Sequence, residues 1–269
     1  MKKNWGLFQF KSFQNIILPL VLLLLNVVTY GLLIRWLGFY WDDWYYVWIS
    51  HSLGGQGLLT AQAMDRPASG YIFMLVFKLL GYSPLAWHIF NIFVRWLCSL
   101  AAWWTLKGLW PKQRWENITV SILFTVYPGY TQQPIPIPYS YIIILLFLTW
   151  LSFGSMLQAN RVSRHFCLFT ILALFCQSIE LVCIEYYIGL ELLRPLFIWF
   201  TIKEEDKRKR FSYTLKRWMP YLAVMGIYLI WRLFFFNSIR SATNQGAILK
   251  QILASPILEL GKRSLHFFT

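Results

Sequence analysis

The chain has 269 residues, 58% hydrophobic, 19% aromatic and only 13% charged, with a net charge of +14 and a mean hydropathy of +0.50. Soluble domains carry about 25% charge, so a water-soluble enzyme is excluded in favour of an all-α, polytopic integral membrane protein. The apolar residues come in unbroken runs, which also excludes the alternation of a β-barrel. The excess of cations is not a nucleic-acid footprint, because it falls in short blocks between apolar segments, as the positive-inside rule places Lys and Arg in cytoplasmic loops. These blocks are Lys2, Lys3 and Lys11; Lys107, Lys112 and Arg114; Arg161 and Arg164; and Lys203 through Arg217. Within the last, Lys207-Arg208-Lys209-Arg210 can also touch anionic headgroups. Cys98, Cys167, Cys176 and Cys183 sit in apolar segments without metal-ligand spacing and read as small buried hydrophobes.

In chain order, the first basic block precedes Ile16–Leu37, a Leu-, Ile- and Val-rich stretch. Crossing a bilayer takes about 20 apolar residues, which this segment supplies. It exceeds a signal-peptide core and no small-residue cleavage site follows, so it is expected to stay as a signal anchor. Directly behind it stands Phe39-Tyr40-Trp41-Asp42-Asp43-Trp44. Ionisable groups at a membrane boundary read as functional by default; the alternative is a solvated loop start within an aromatic belt. Neighbouring residues on a helix point about 100° apart, so one Asp can face a cavity while the other caps a helix or holds a cation. Asp43 suits the N-cap of a helix over Trp44–Leu53, which leaves Asp42 unexplained. That helix reads as interfacial and is broken by Gly54, Gly55 and Gly57. Asp65-Arg66-Pro67 follows; Asp65 and Pro67 would open a helix, whereas Arg66 is of the type preferred for phosphate. Pro67–Leu80 is apolar but short, and reads as interfacial or re-entrant.

Parity among the basic blocks organises the remainder. If each is cytoplasmic, the chain crosses an even number of times between any two. Leu85–Leu106 returns to Lys107. Segments near Asn117–Tyr127 and Tyr139–Leu157 go out and back. Phe166–Thr201 holds two tight crossings that turn near Gln177–Glu180, and Met219–Phe236 is the seventh. The expectation is a single transmembrane domain over 1–269, with about seven transmembrane helices, interfacial helices in the first outer loop and a cytoplasmic N-terminus. Residues 38–84, Pro128–Pro138 and residues 237–269 then lie outside, and the outer loop 38–84 carries the site. Ile248–Phe268 is weakly amphipathic and the chain stops at Thr269 without a closing feature, which suits a longer parent protein.

Other polar residues fall near the same boundary. His88, Asn91 and Arg95 share a helix face, either as a stripe toward a cavity or as interhelical hydrogen-bonding groups. A divalent cation held by Asp42, Asp43 and His51 is one use of the Asp pair, although no second His stands at ligand spacing. Glu191 and Arg194, at i,i+3, are expected to pair. Glu185 is expected deeper than Glu180. Arg232, late in the seventh span, either snorkels outward or faces an anionic ligand. Phosphate loops, Ser-His-Asp order, His-Glu-x-x-His and Cys-x-x-Cys are absent from the sequence, so nucleotide-binding chemistry has no support.

Taken together, the long first span, Tyr40-Trp41-Asp42-Asp43-Trp44, Asp65-Arg66-Pro67 and Pro84-Leu85-Ala86-Trp87-His88-Ile89-Phe90-Asn91 resemble bacterial glycosyltransferases of the GT-C class, in the group of protein O-mannosyltransferases and lipid A aminoarabinose transferases. The stretch Ile184 to Pro195 is also similar to bacterial members. The resemblance covers roughly Ile16 to Phe236. It implies transfer of a sugar from a polyprenyl-phosphate donor to a glycan, lipid or protein acceptor at the outer face of the bacterial cytoplasmic membrane. It implies Asp42 and Asp43 as catalytic carboxylates, or as groups orienting the acceptor or a metal. Arg66 and Arg232 become candidates for the donor phosphate, with Asp65, His88 and Glu185 as further substrate-binding residues. Family members usually carry more spans and often a C-terminal soluble domain, and Arg95 stands where a neutral residue or His is expected. Two other classes compete: a non-catalytic or truncated assembly partner, and a transporter of a lipid-linked saccharide, which would place polar residues along a path through the membrane.

Overall fold

A computed structural model describes residues 5–129, 133–161, 163–202, 206–238 and 245–254, with no strand among them. The helices are α1 (Trp5–Asn26, continued by a π turn at Val27–Gly31), α2 (Asp42–Ala63), α3 (Ser69–Leu80), α4 (Pro84–Leu109) and α5 (Arg114–Thr125). They continue as α6 (Pro136–Arg161), α7 (Phe166–Cys183), α8 (Leu193–Thr201), α9 (Lys207–Ile230, with a π turn at Trp231–Phe235) and α10 (Gln245–Ala254). Among the described residues four helices, α4, α6, α7 and α9 with its π turn, are long and apolar enough to cross a membrane. This is the architecture of an all-α membrane protein. The apolar windows of α4 and α6 are 56% buried inside the protein, that of α7 33% and that of α9 17%. The first two therefore form the centre, and α9 turns most of its apolar surface outward.

Small residues bring the central pair together, as lipid-embedded helices require. Thr105 Oγ1 donates to the Trp150 carbonyl at 2.8 Å. Trp104 lies so close to Gly154 that a Cβ there would stand 2.3 Å from the ring. The contacts of Thr105 with Trp150 and of Gly108 with Leu157 make α4 and α6 parallel. Helix α7 is antiparallel to α6, with Tyr141 Oη donating to the Cys183 carbonyl and Ser152 Oγ to that of Ala173. Helix α9 follows α7, tied by Gln177 Nε2 to the Tyr221 carbonyl and by Arg217 over the Phe166 ring. These directions gather Asp42, Asp65, Glu185 and Arg232 at one end of the bundle, and Lys107, Arg114, Arg161 and Lys209 at the other.

Several expected boundaries move. No turn occurs at Gln177–Glu180: α7 runs on to Cys183, because Gln177 and Glu180 are both fully buried on its inward face. The chain turns instead at residues 184–187, then forms a 3-10 turn at Ile188–Leu192 and the nine-residue α8. At 1.5 Å per residue, α5 and α8 each cover about half of a ~30 Å hydrocarbon core. Helix α6 starts at Pro136, within the segment expected to be an outer loop. The glycine break is real but local: Gly54 alone is non-helical within α2, at φ 66° and ψ −164°, a conformation that suits a residue without Cβ. Helix α3 then doubles back on α2. A Cβ on Gly70 would stand 2.9 Å from the Leu59 Cα, so only Gly permits that approach. Of the expected C-terminal amphipathic segment, α10 ends at Ala254, and the later residues lie outside those described.

Candidate active site

The two adjacent aspartates have different surroundings. Asp43 is fully buried. Its Oδ2 accepts the Tyr40 N–H and its Oδ1 the Ile137 N–H, each at 2.9 Å. The second bond follows from the sequence of the α6 N-terminus. Pro136 and Pro138 have no N–H, and the Tyr139 N–H reaches back to the Ile135 carbonyl. Ile137 carries the first-turn donor that the helix itself cannot satisfy. Asp43 supplies the acceptor from across the bundle and sets a carboxylate at the positive end of α6. It thus belongs to the first turn of α2 and caps α6, rather than N-capping a helix over Trp44–Leu53. Burial is the main influence on its acidity and, opposed by the two N–H donors, lifts the Asp43 carboxyl to about 6; the neighbouring Asp42 adds a smaller push upward.

Asp43 also holds an unusual backbone. Trp41, immediately before α2, has φ 44° and ψ −114°, the one non-glycine positive φ among the described residues. Such conformations cost about 1–3 kcal/mol and persist only when neighbours enforce them. Here the Tyr40 N–H is bound by the Asp43 carboxylate, and the Tyr40 carbonyl by the Asp43 N–H at 2.9 Å. The Trp41 ring is 83% exposed, and Trp36, Trp44 and Trp48 are exposed as well, an aromatic belt of the kind found at membrane boundaries.

Asp42, by contrast, is exposed and lines a cleft of about 520 Å³ together with Tyr45, Tyr46, Gln62, Asp65 and Arg66. The α2–α3 hairpin forms this cleft. Ser69 Oγ donates to Gln62 Oε1 at 2.9 Å and to the Arg66 carbonyl at 2.7 Å, fixing the α2–α3 connection. Burial raises the Tyr46 phenol to about 12, so it stays protonated at neutral pH as a hydrogen-bond donor.

Arg66 forms a fork with Glu185: Nε to Oε2 at 3.1 Å and Nη2 to Oε1 at 2.6 Å. The guanidinium also lies 4.9 Å from the Tyr186 ring centroid. Burial opposes its charge, but the Glu185 carboxylate outweighs burial and holds the guanidinium above its ordinary acidity range. Both side chains keep 15% exposure at the edge of the cleft. Arg232 is buried and donates Nη1 to the Asp65 carbonyl at 2.9 Å, while Ser238 Oγ donates to Asp65 Oδ1 at 3.4 Å. Arg232 therefore reaches the loop that carries Asp65 and Arg66, without lining the cleft.

The other expected residues lie elsewhere. His88 is buried, with Nε2 at 3.2 Å from the Gly38 carbonyl; it ties α4 to the loop leading to the Asp pair. Asn91 and Arg95 continue that face inward, and Arg95 Nη1 donates to Gln133 Oε1 at 2.8 Å while its guanidinium covers the Tyr30 ring at 3.8 Å. His51 stacks edgewise on Tyr82. Among the described residues no three His, Cys, Asp or Glu side chains converge, so Asp42, Asp43 and His51 do not assemble a ligand set. Glu191 and Arg194 do pair, in a sealed knot: Arg194 binds both Glu191 oxygens and Ser152 Oγ, and Gln177 Nε2 donates to Glu191 Oε2. Depth is the reverse of the expectation, because Glu180 is fully buried with neither oxygen hydrogen-bonded among the described residues, whereas Glu185 is partly exposed and pairs with Arg66 of the cleft. The polar cleft residues absent from the sequence reading are Tyr45, Tyr46 and Gln62. Their signal was weak: Gln62 stands one helical turn before Asp65, and the tyrosines follow the Asp pair directly.

The chain matches no protein-family model, no curated protein and no solved structure.

Proposed function

We propose that this chain is a membrane glycosyltransferase that moves a sugar from a polyprenyl-phosphate donor to an acceptor hydroxyl at the outer face of a bacterial cytoplasmic membrane. One observation carries the reading: the exposed Asp42 carboxylate and the Arg66 guanidinium line the same cleft at one end of an apolar helical bundle. The resemblance of the Tyr-Trp-Asp-Asp-Trp and Asp-Arg-Pro segments to GT-C enzymes supports it. Asp42 takes the acceptor hydroxyl proton. The acceptor oxygen attacks the anomeric carbon, the bond from that carbon to the phosphate oxygen breaks, and the polyprenyl phosphate departs with the electron pair. Arg66 stabilises the charge on that phosphate, with Glu185 holding the guanidinium in place beforehand. Asp43 is structural: its bonds to the Tyr40 and Ile137 N–H groups hold the start of α2, where Asp42 stands, against α6. A divalent cation would be held by Asp42 with phosphate oxygens, a usual arrangement for Mg²⁺, because both Asp43 oxygens are occupied by N–H donors.

The orientation follows from the charge at the far end of the bundle, which the positive-inside rule assigns to the cytoplasm. The N-terminus is then cytoplasmic. The seven passes are α1, α4, α5, α6, α7, α8 with the turn before it, and α9, while α2 and α3 lie at the outer interface. The non-catalytic reading draws on one observation: Arg66 Nε and Nη2 are already bound to Glu185. The test is complementation of a host lacking the gene, scored by its surface glycan. Asp42→Asn and Arg66→Ala should each abolish the glycan while membrane levels stay normal. Retention of the glycan by Asp42→Asn would remove the transferase reading.

A further inference from the structure

The opposite end of the bundle carries two adjoining clefts of about 690 and 400 Å³. They lie where the C-termini of α4, α6 and α8 meet the N-termini of α5 and α9. Pro111 and Arg161 line both, so Arg161 stands at the wall between them. The charged residues of the linings are Lys209 on the larger side, Lys107 and Arg114 on the smaller, and Arg161 on both. Every one is a cation. Asp206, the nearest described acid in sequence to Lys209, is outside the linings and N-caps α9 through the Arg208 N–H at 2.9 Å. The Gln113 side chain makes no capping bond at the start of α5, whose first turn borders the smaller cleft. That helix terminus adds positive potential to the four side-chain charges, offset in part by the exposed Glu116 of its first turn, which does not line the cleft.

The cations of this end fall into two sets. Arg210 is bound to the Trp199 carbonyl through Nε and Nη2 and covers that ring. Arg217 donates to Tyr213 Oη and covers Phe166. These are packed into the fold. The side chains of Arg114, Arg161 and Lys209 make no hydrogen bond or ion pair among the described residues and line the two clefts. The smaller cleft also has indole walls, Trp103 and Trp104, with amide groups of Asn117 and Gln158 beside them. Along α5 from Arg114, the large apolar residues Trp115, Val120 and Leu123 are exposed. A ligand with an anionic head in the cleft and hydrocarbon along α5 matches this arrangement.

We infer that the paired clefts around Arg161 bind the phosphate of an anionic lipid headgroup, at a site separate from the Asp42 cleft and independent of any transferase activity there. Diffuse attraction between a basic surface and anionic lipid is the ordinary alternative. It involves Lys207 and Arg208 equally, since both are exposed and neither lines a cleft. The experiment is titration of the detergent-solubilised full chain with short-chain phosphatidylglycerol, short-chain phosphatidylcholine and inorganic phosphate. Saturable binding of phosphatidylglycerol alone is expected. Arg161→Gln should weaken it by about tenfold, the loss of one charge-assisted contact, and Arg114→Gln should weaken it in the same sense. The double variant Lys207→Gln/Arg208→Gln should leave it unchanged, and the unfolding midpoint of Arg161→Gln should match wild type because the side chain is exposed. The inference is overturned if the Lys207/Arg208 variant loses as much affinity as Arg161→Gln, if phosphatidylcholine binds equally, or if inorganic phosphate competes as well as the lipid.

Discussion

Two Arg–Glu pairs lie within ten residues of one another in their glutamates, and the bundle treats them in opposite ways. Arg194 with Glu191 is sealed between α6, α7 and α9: the arginine has no exposure, binds Ser152 as well, and stacks between the Phe153 and Tyr221 rings. Arg66 with Glu185 makes the same kind of fork beside the ~520 Å³ cleft, with 15% exposure on each side. A sealed pair cannot exchange its partner without leaving a charge uncompensated in an apolar interior. A pair at a cleft can hand its guanidinium to an incoming phosphate. Equal chemistry therefore supports a structural role in one place and, in the proposed function, a ligand-exchanging role in the other.

This contrast can be broken by substitution. The largest effect should come from Arg194→Ala, which strands Glu191. Breaking a buried pair costs about 3–5 kcal/mol, and little folded protein should be recovered from membranes. Arg66→Ala should be recovered at near-normal levels, and a detergent-resistant yield for each variant measures the difference. Asp43→Ala comes next: it leaves the Tyr40 and Ile137 N–H groups without their acceptor, at about 1–3 kcal/mol each, and should lower the unfolding temperature clearly. Asp42→Ala, one residue away and exposed, should not. A smaller change in the other direction is expected at Trp41. Replacing it with Gly removes the positive-φ strain, and because the ring is exposed the unfolding midpoint should rise, by up to about 1 kcal/mol in stability.

The same buried carboxyl also gives a pH dependence. Burial raises the Asp43 carboxyl to about 6 from the ordinary value of 3.8. In the window between those values the folded chain binds a proton that the unfolded chain does not, so stability falls as pH rises through it. The unfolding midpoint should decline from pH 4 to pH 6 in wild type, and the Asp43 contribution to that decline should vanish in Asp43→Asn.

The sequence made the long helices legible because their apolar runs are unbroken: α4 falls close to the expected limits and α9 with its π turn ends near the expected Phe236, although α9 starts at Lys207 rather than Met219, inside the basic block. It misplaced the turn after α7 because Gln177 and Glu180 look like turn residues until their burial on the inward face of α7 is known. Hydrogen bonds from Gln177 to Glu191 and Tyr221 make that polarity compatible with a helix interior. The same limit applies to the site. Asp42 and Asp43 are equivalent as letters, and what separates them is the proline-rich start of α6, whose one unsatisfied donor lies 94 residues away. The fork between Arg66 and Glu185 spans 119 residues and has no local signature.

The most direct test sets Asp42→Asn and Asp43→Asn side by side, measuring sugar transfer to the surface glycan and the unfolding midpoint for each. A general base contributes about 10²–10⁴-fold to rate, so Asp42→Asn should lose transfer by that order with its unfolding midpoint unchanged, whereas Asp43→Asn should lose stability and lose transfer only in proportion to the folded protein that remains. Full transfer by Asp42→Asn, or a loss of stability equal to that of Asp43→Asn, would contradict the assignment of the cleft as the reacting site.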